Sequence, residues 1–209
     1  MNISKYRTGR KAVGEVANIL GNNVSVYLYP EAYEDVSMGD FLLITGRKTS
    51  FVSVVVKNLH RVRRERSFSL MGMDYEDIKE IYPDIDRLYI YAVEAAIIGT
   101  VDLSGKLSIG LGGAPRIHDM VFKMDEEDIL EVFRYRDISF DLLKYLEGYV
   151  GDDVWVREFF RRNREVLRSL GDGGDILEKL MDTLVWLGIP PATFGKIVSI
   201  FIDEVSGGG

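Results

Sequence analysis

The chain has no cysteine, only two histidines and only five prolines among its 209 residues. Without cysteine there is no disulfide framework, no thiol nucleophile and no thiolate zinc site. A structural zinc site or a Ser-His-Asp triad would have to recruit one of His60 and His118. No apolar run reaches membrane-spanning length free of charge, and the opening MNISKYRTGRK lacks the apolar segment of a signal peptide. These absences lead us to expect a cytoplasmic protein with no membrane partner. Positive charge is also in deficit: 26 Lys and Arg stand against 33 Asp and Glu, a net charge of −7. That balance argues against bulk affinity for nucleic acid. It does not forbid a local basic patch, because physiological salt screens charges beyond about 8–10 Å.

What is present suits a soluble, folded protein. Apolar residues make up 46% and charged residues 28%, enough to build a real core under a charged surface. Abundant Glu, Arg and Lys without cysteine is a composition that suits a thermophile.

The first two-thirds carries β signals. AVGEVANIL, the turn GNN and VSVYLYP form one strand pair, and EDVSMGD loops into FLLITG. After RKTS comes FVSVVVKNLHRV. Gly21, Asn22 and Asn23 tolerate the positive φ of a tight hairpin turn. A short helix is predicted from Asp74 to a stop at Pro83. Strands resume with LYIYAVEAAIIGTVD, KLSIG and MVFKM, and the acids after Met124 begin a helix, EEDILEVFRY. Short strands at this spacing predict a small antiparallel barrel.

From Ser139 the apolar period lengthens to that of a helix. Phe140, Leu143 and Leu146 share one face, with Ser139 as an N-cap. DDVWVREFFRRNREVLRSL reads as one helix, or as a strand VWV and then a helix. DILEKLMDTLVWLG and IPPATFGKIVSIFIDEV follow as amphipathic helices. The second is apolar around much of its girth and needs cover, in this chain or from a partner. The expected fold class is α+β: an N-terminal antiparallel β-barrel over residues 1–136, then a helical region over 137–209.

The β region resembles the HAS barrel, the N-terminal module of HerA-type archaeal DNA translocases and rotary ATP synthases. The resemblance lies in "VGEV" with Gly14 and Val16, "VSMGDFLLI", the return strand "FVSVVVKNL", and "YAVEAAIIGTVD" followed by "KLSIGLGGAPRIHDMVFKMDEEDILEVF". It covers residues 11–133, with Gly99, Pro115 and Val121 at matching positions. Gly113, Ala114 and Asp119 depart from the second proline and glycine common in the family's loop. The resemblance implies an oligomer or a complex with a DNA-processing machine. In HerA-type proteins an ATPase domain follows the barrel. Here Arg162-Asn163 would stand where that domain has an Arg-His pair, and "LGDGGD" where it has its phosphate loop. Gly174, Asp175 and Ile176 replace the lysine and hydroxyl that phosphate and Mg²⁺ require. The expectation is therefore a protein that hydrolyses no ATP, needs no cofactor and works as an interaction or assembly module tied to DNA translocation or end processing.

Two basic strips are the candidate contact residues. The first holds Lys57, Arg61, Arg63, Arg64 and Arg66; the second holds Arg157, Arg161, Arg164 and Arg168 at helical spacing. Each can be a solvated or ion-paired face. The first also suits docking of an acidic partner, and both could grip phosphates, which keeps direct nucleic-acid binding as an alternative. Phe159 and Phe160 read as core rather than as base-stacking platforms. A second alternative is a metal-dependent hydrolase. It would use carboxylates among Asp74, Glu76, Asp77, Glu80, Asp84 and Asp86, or among Asp125, Glu126, Glu127 and Asp128. The last four are better explained by helix capping, and the first set by a solvated loop. His60, inside the basic strip, and His118, in the Gly/Pro loop, read as surface histidines.

Overall fold

The computed structural model describes residues 1–63 and 89–207, with only the backbone path given for 59–63 and 89–90. The helix predicted from Asp74 lies outside the described residues. The strands are β1 (Gly14–Leu20), β2 (Asn23–Leu28), β3 (Phe41–Thr45), β4 (Thr49–Arg63), β5 (Tyr89–Asp102), β6 (Leu107–Ile109) and β7 (Met120–Lys123). They join in the order β2-β1-β7-β3-β4-β5, and a β2–β5 pairing closes the ring. All of these pairings are antiparallel. The result is a closed six-stranded antiparallel barrel, with β6 appended to the far end of β5. Closure removes the free edges an open sheet would leave.

The apolar runs FLLI and FVSVVV do not alternate with polar residues because both of their faces are buried. On β3, Leu42 and Ile44 point into the barrel with Val16, Val26, Phe51, Val55 and Val121. Phe41 and Leu43 point outward into a second core shared with the helices. Three bulges in the β4–β5 ladder bend it around the barrel. At Gly14 a Cβ would stand 2.1 Å from the Tyr27 carbonyl oxygen, so only glycine lets β1 lie this close to β2.

After β7, α2 (Glu126–Phe133) leads to a turn in which Arg136 and Asp137 both have positive φ. A 3-10 stretch, Asp141–Leu146, runs into α3 (Glu147–Val150). The segment holding VWV is helical: α4 (Asp153–Arg162) starts where the Asp152 carboxylate accepts from the Val154 and Trp155 amides. It meets α5 (Arg164–Arg168) at Asn163. There the Asn163 side-chain amide donates to the Phe159 carbonyl at 2.7 Å and to the Gly39 carbonyl at 2.9 Å, tying the helix junction to the barrel. α6 (Gly173–Trp186), α7 (Pro191–Phe201) and a π-helical turn at Ile202–Ser206 complete the layer.

The helices pack on the outer face of β3, β4 and β5. Phe41, Phe133, Phe140, Trp155, Phe159, Phe160 and Phe201 are all buried there. Trp155 stacks on Phe159 with ring centres 5.1 Å apart, and Phe160 meets Phe201 edge-on at 5.2 Å. The Trp155 indole N–H donates to the Val55 carbonyl at 3.2 Å. Gly39, at φ 86°, sits so close to α4 that a Cβ would lie 2.7 Å from the Phe159 Cα. The apolar C-terminal helix finds its cover in this same core through Ile197, Ile200, Phe201 and Val205.

Candidate functional site

The first basic strip begins on β4. β3 pairs with β4 only up to Phe41 opposite Val54, whereas the β4–β5 ladder continues to Arg63 opposite Tyr89. On the other side of the ribbon, β2 accompanies β5 as far as Leu28 opposite Tyr91. Backbone bonds between Val55 and the Gly39–Asp40 turn end the pairing on the β3 side. Among the described residues no strand pairs with that edge of β4 beyond this point. Lys57 is exposed, stands opposite Glu94 in the ladder and makes no ion pair among the described residues. Arg61 and Arg63 lie on the same strand; Arg64 and Arg66 lie outside the described residues.

The second strip is divided between α4 and α5, and each of its arginines has a partner. Arg157 reaches Glu204 at 2.6 Å, and Arg161 grips Glu158 with both Nε and Nη2. Arg164 pairs with Glu165 at 3.2 Å. Arg168 donates to the Val205 carbonyl at 2.7 Å and lies 3.6 Å from Glu165. Phe159 and Phe160 are core residues between these arginines.

Of the four acids at the start of α2, Asp125 and Asp128 join a partly buried network, while Glu126 and Glu127 are exposed. Tyr6, wholly buried on α1 (Ser4–Thr8), donates its hydroxyl to Asp128 at 2.5 Å and accepts from the Asp125 amide at 3.1 Å. Lys5 bridges Asp125 at 2.7 Å and Asp128 at 2.8 Å, and Arg10 pairs with Asp125. Burial, then the bond to Asp128, raises the Tyr6 pKa strongly. Asp125 holds the N-cap position of α2 without a side-chain capping bond, because its carboxylate turns to Lys5 and Arg10. Among the described residues no three His, Asp or Glu side chains converge on a possible metal position. Asp74, Glu76, Asp77, Glu80, Asp84 and Asp86 lie outside the described residues.

LGDGGD opens α6, where Asp172 accepts from the Gly174 amide at 3.2 Å and so occupies the helix start with its own carboxylate. Arg168 borders the same hollow. His118, at φ 70° and largely exposed, meets Glu15 of β1 at 3.3 Å. That partner is remote in sequence and becomes visible only through the barrel. The side chain of His60 lies outside the described residues.

One further basic site was not read from the sequence. A cleft of about 420 Å³ opens between α1, the β3–β4 turn and β7. Arg7, Arg10 and Arg47 line it, over a floor that includes Ala12, Met120 and Phe122. Its signal was present in two short basic stretches, SKYRTGRK and GRKTS. Some 40 residues separate Arg7 from Arg47, and only the barrel's closure brings them together. No helix among the described residues is long and apolar enough to cross a membrane. No protein-family model matches the chain, and no curated protein matches it.

Proposed function

We propose that this protein is a non-catalytic interaction or assembly module whose barrel resembles the HAS barrel of HerA-type DNA translocases. In this reading it serves DNA translocation or end processing within the cytoplasm. The observation that carries the docking role is the β4–β5 ribbon. It runs past the last β3 pairing, and Lys57, Arg61 and Arg63 follow one another along β4, whose β3-side edge has no strand partner there among the described residues. A basic strand edge of this kind suits addition of an acidic partner segment or a second subunit. The link to DNA translocation rests on the sequence resemblance alone.

Light scattering on the full chain tests it, alone and with a short duplex or single strand, at low and high salt. A dimer or ring that persists in high salt and ignores DNA supports the assembly module. Changing Lys57 and Arg61 to glutamate should then dissociate it. A monomer that gains mass with DNA only at low salt overturns the assembly reading in favour of a phosphate grip by the same strip.

A further inference from the structure

The cleft beside the N-terminal helix is positive in a protein whose net charge is −7. Three arginines reach it from two separate elements, and they differ in how far they are neutralised. Arg10 is committed to Asp125. Arg7 donates to the Gly46 carbonyl, a contact that fixes the guanidinium but leaves its charge uncompensated. Arg47 and its neighbour Lys48 are exposed and form no ion pair among the described residues. Asp125 and Asp128, at the start of α2, are already engaged by Lys5, Tyr6 and Arg10. The one carboxylate lining the cleft, Asp119, accepts from the Arg116 amide at 2.8 Å and closes its own turn.

The backbone frame around these cations is tied together by hydrogen bonds. Tyr6 anchors α1 through the bonds to Asp128 and Asp125, and Arg7 ties α1 to the β3–β4 turn. The Thr45 hydroxyl donates to the Met120 carbonyl at 3.3 Å across the cleft floor. Arg7 is thereby held at the opening, and Arg47, exposed on the β3–β4 turn, flanks it from the other side. Below them Ala12, Met120 and Phe122 present an apolar base. Guanidinium groups match phosphate oxygens in a two-pronged geometry, and an apolar base suits a flat or greasy body attached to that phosphate. A volume of about 420 Å³ falls within the range of small-molecule sites and suits one nucleotide.

We propose that this cleft binds the phosphate group of a nucleotide-sized ligand, with Arg7 and Arg47 as its phosphate contacts. The site is separate from the β4–β5 ribbon and stands whether or not the docking reading holds.

Calorimetric titration of the full chain with ADP, inorganic phosphate, adenosine and a short single-stranded oligonucleotide tests it. ADP should bind, phosphate should compete with it, and adenosine alone should bind at least tenfold more weakly. Arg47→Glu should weaken ADP at least tenfold, about 1.4 kcal/mol, while Lys179→Ala on α6 should leave it unchanged. Arg47 makes no hydrogen bond or ion pair among the described residues, so an unchanged unfolding midpoint separates lost binding from lost structure. Arg7→Lys keeps a charge but loses the fork, and should weaken ADP by a smaller factor. Failure of both ADP and phosphate to bind overturns the proposal, as does binding indifferent to Arg47→Glu. An oligonucleotide that binds where ADP does not would also overturn it, because the cleft would then be part of a polymer track.

Discussion

Two groups of arginines, one contiguous in sequence and one assembled by the fold, differ in how their charge is compensated. Arg157, Arg161, Arg164 and Arg168 sit on α4 and α5, and each is tied to a carboxylate or a carbonyl. Arg7 and Arg47 sit around the N-terminal cleft without a carboxylate partner among the described residues. The first region is tied within the helical layer, through Glu158, Glu165, Glu204 and the Val205 carbonyl; the second leaves charge free for something else. Counting basic residues along a chain cannot separate these cases, because compensation depends on acids brought in from elsewhere. Glu204 reaches Arg157 across 47 residues, whereas among the described residues no carboxylate forms an ion pair with Arg47.

The comparison breaks if the α4 region proves dispensable. Phe159→Ala removes a side chain packed against Phe41, Phe133, Trp155 and Phe160. Its loss should cost about 3–5 kcal/mol of stability, read as a large drop in the denaturation midpoint. A loss below about 1 kcal/mol would mean the helical layer contributes little to the barrel. Asn163→Ala comes next. It leaves the buried Gly39 carbonyl without its side-chain donor and should cost about 1–3 kcal/mol.

The network under the cleft is sharpened by pH. The Tyr6 pKa is raised in the folded protein, by burial first and by the bond to Asp128 second. A raised pKa means the folded state holds its proton more tightly than the unfolded chain does. The resulting stability is complete below the unfolded value of about 10 and is lost as pH climbs above it. Lys5 adds in the same direction: burial lowers its pKa, but the bonds to Asp125 and Asp128 outweigh that and raise it. Chemical denaturation from pH 9 to 11 should show falling stability, and Tyr6→Phe should flatten the fall while costing about 1 kcal/mol at pH 7. A slope unchanged in Tyr6→Phe would remove Tyr6 from this network.

Much of the barrel was legible because its signals are local. β-branched runs, the hairpin glycine Gly21 at φ 63° and the acids opening α2 each act within a few residues. The outward core was less legible. FLLI looks like any buried strand until the aromatic groups of α4 cover its second face. The helix break at Asn163 was missed because the bond that holds it reaches back 124 residues to Gly39. Phe159 and Phe160 were readable as core, since their spacing puts them on the apolar face of α4. The cleft was not readable, because Arg7 and Arg47 meet only through a closed barrel.

The smallest expected effects separate the two regions most directly. Arg161→Ala breaks an exposed two-pronged pair with Glu158 and should cost between 0 and about 1 kcal/mol. Arg47→Ala removes a cation with no pair to break, so its stability should stay within about 0.5 kcal/mol of the parent. Added phosphate should then distinguish them. A ligand that binds only the folded state stabilises it by RT ln(1 + [L]/Kd), so phosphate should raise the melting temperature of the parent and of Arg161→Ala equally. Arg47→Ala should lose most of that rise. If instead Arg161→Ala loses the rise and Arg47→Ala keeps it, the free charge lies on the helices, and the assignment of the two regions must be exchanged.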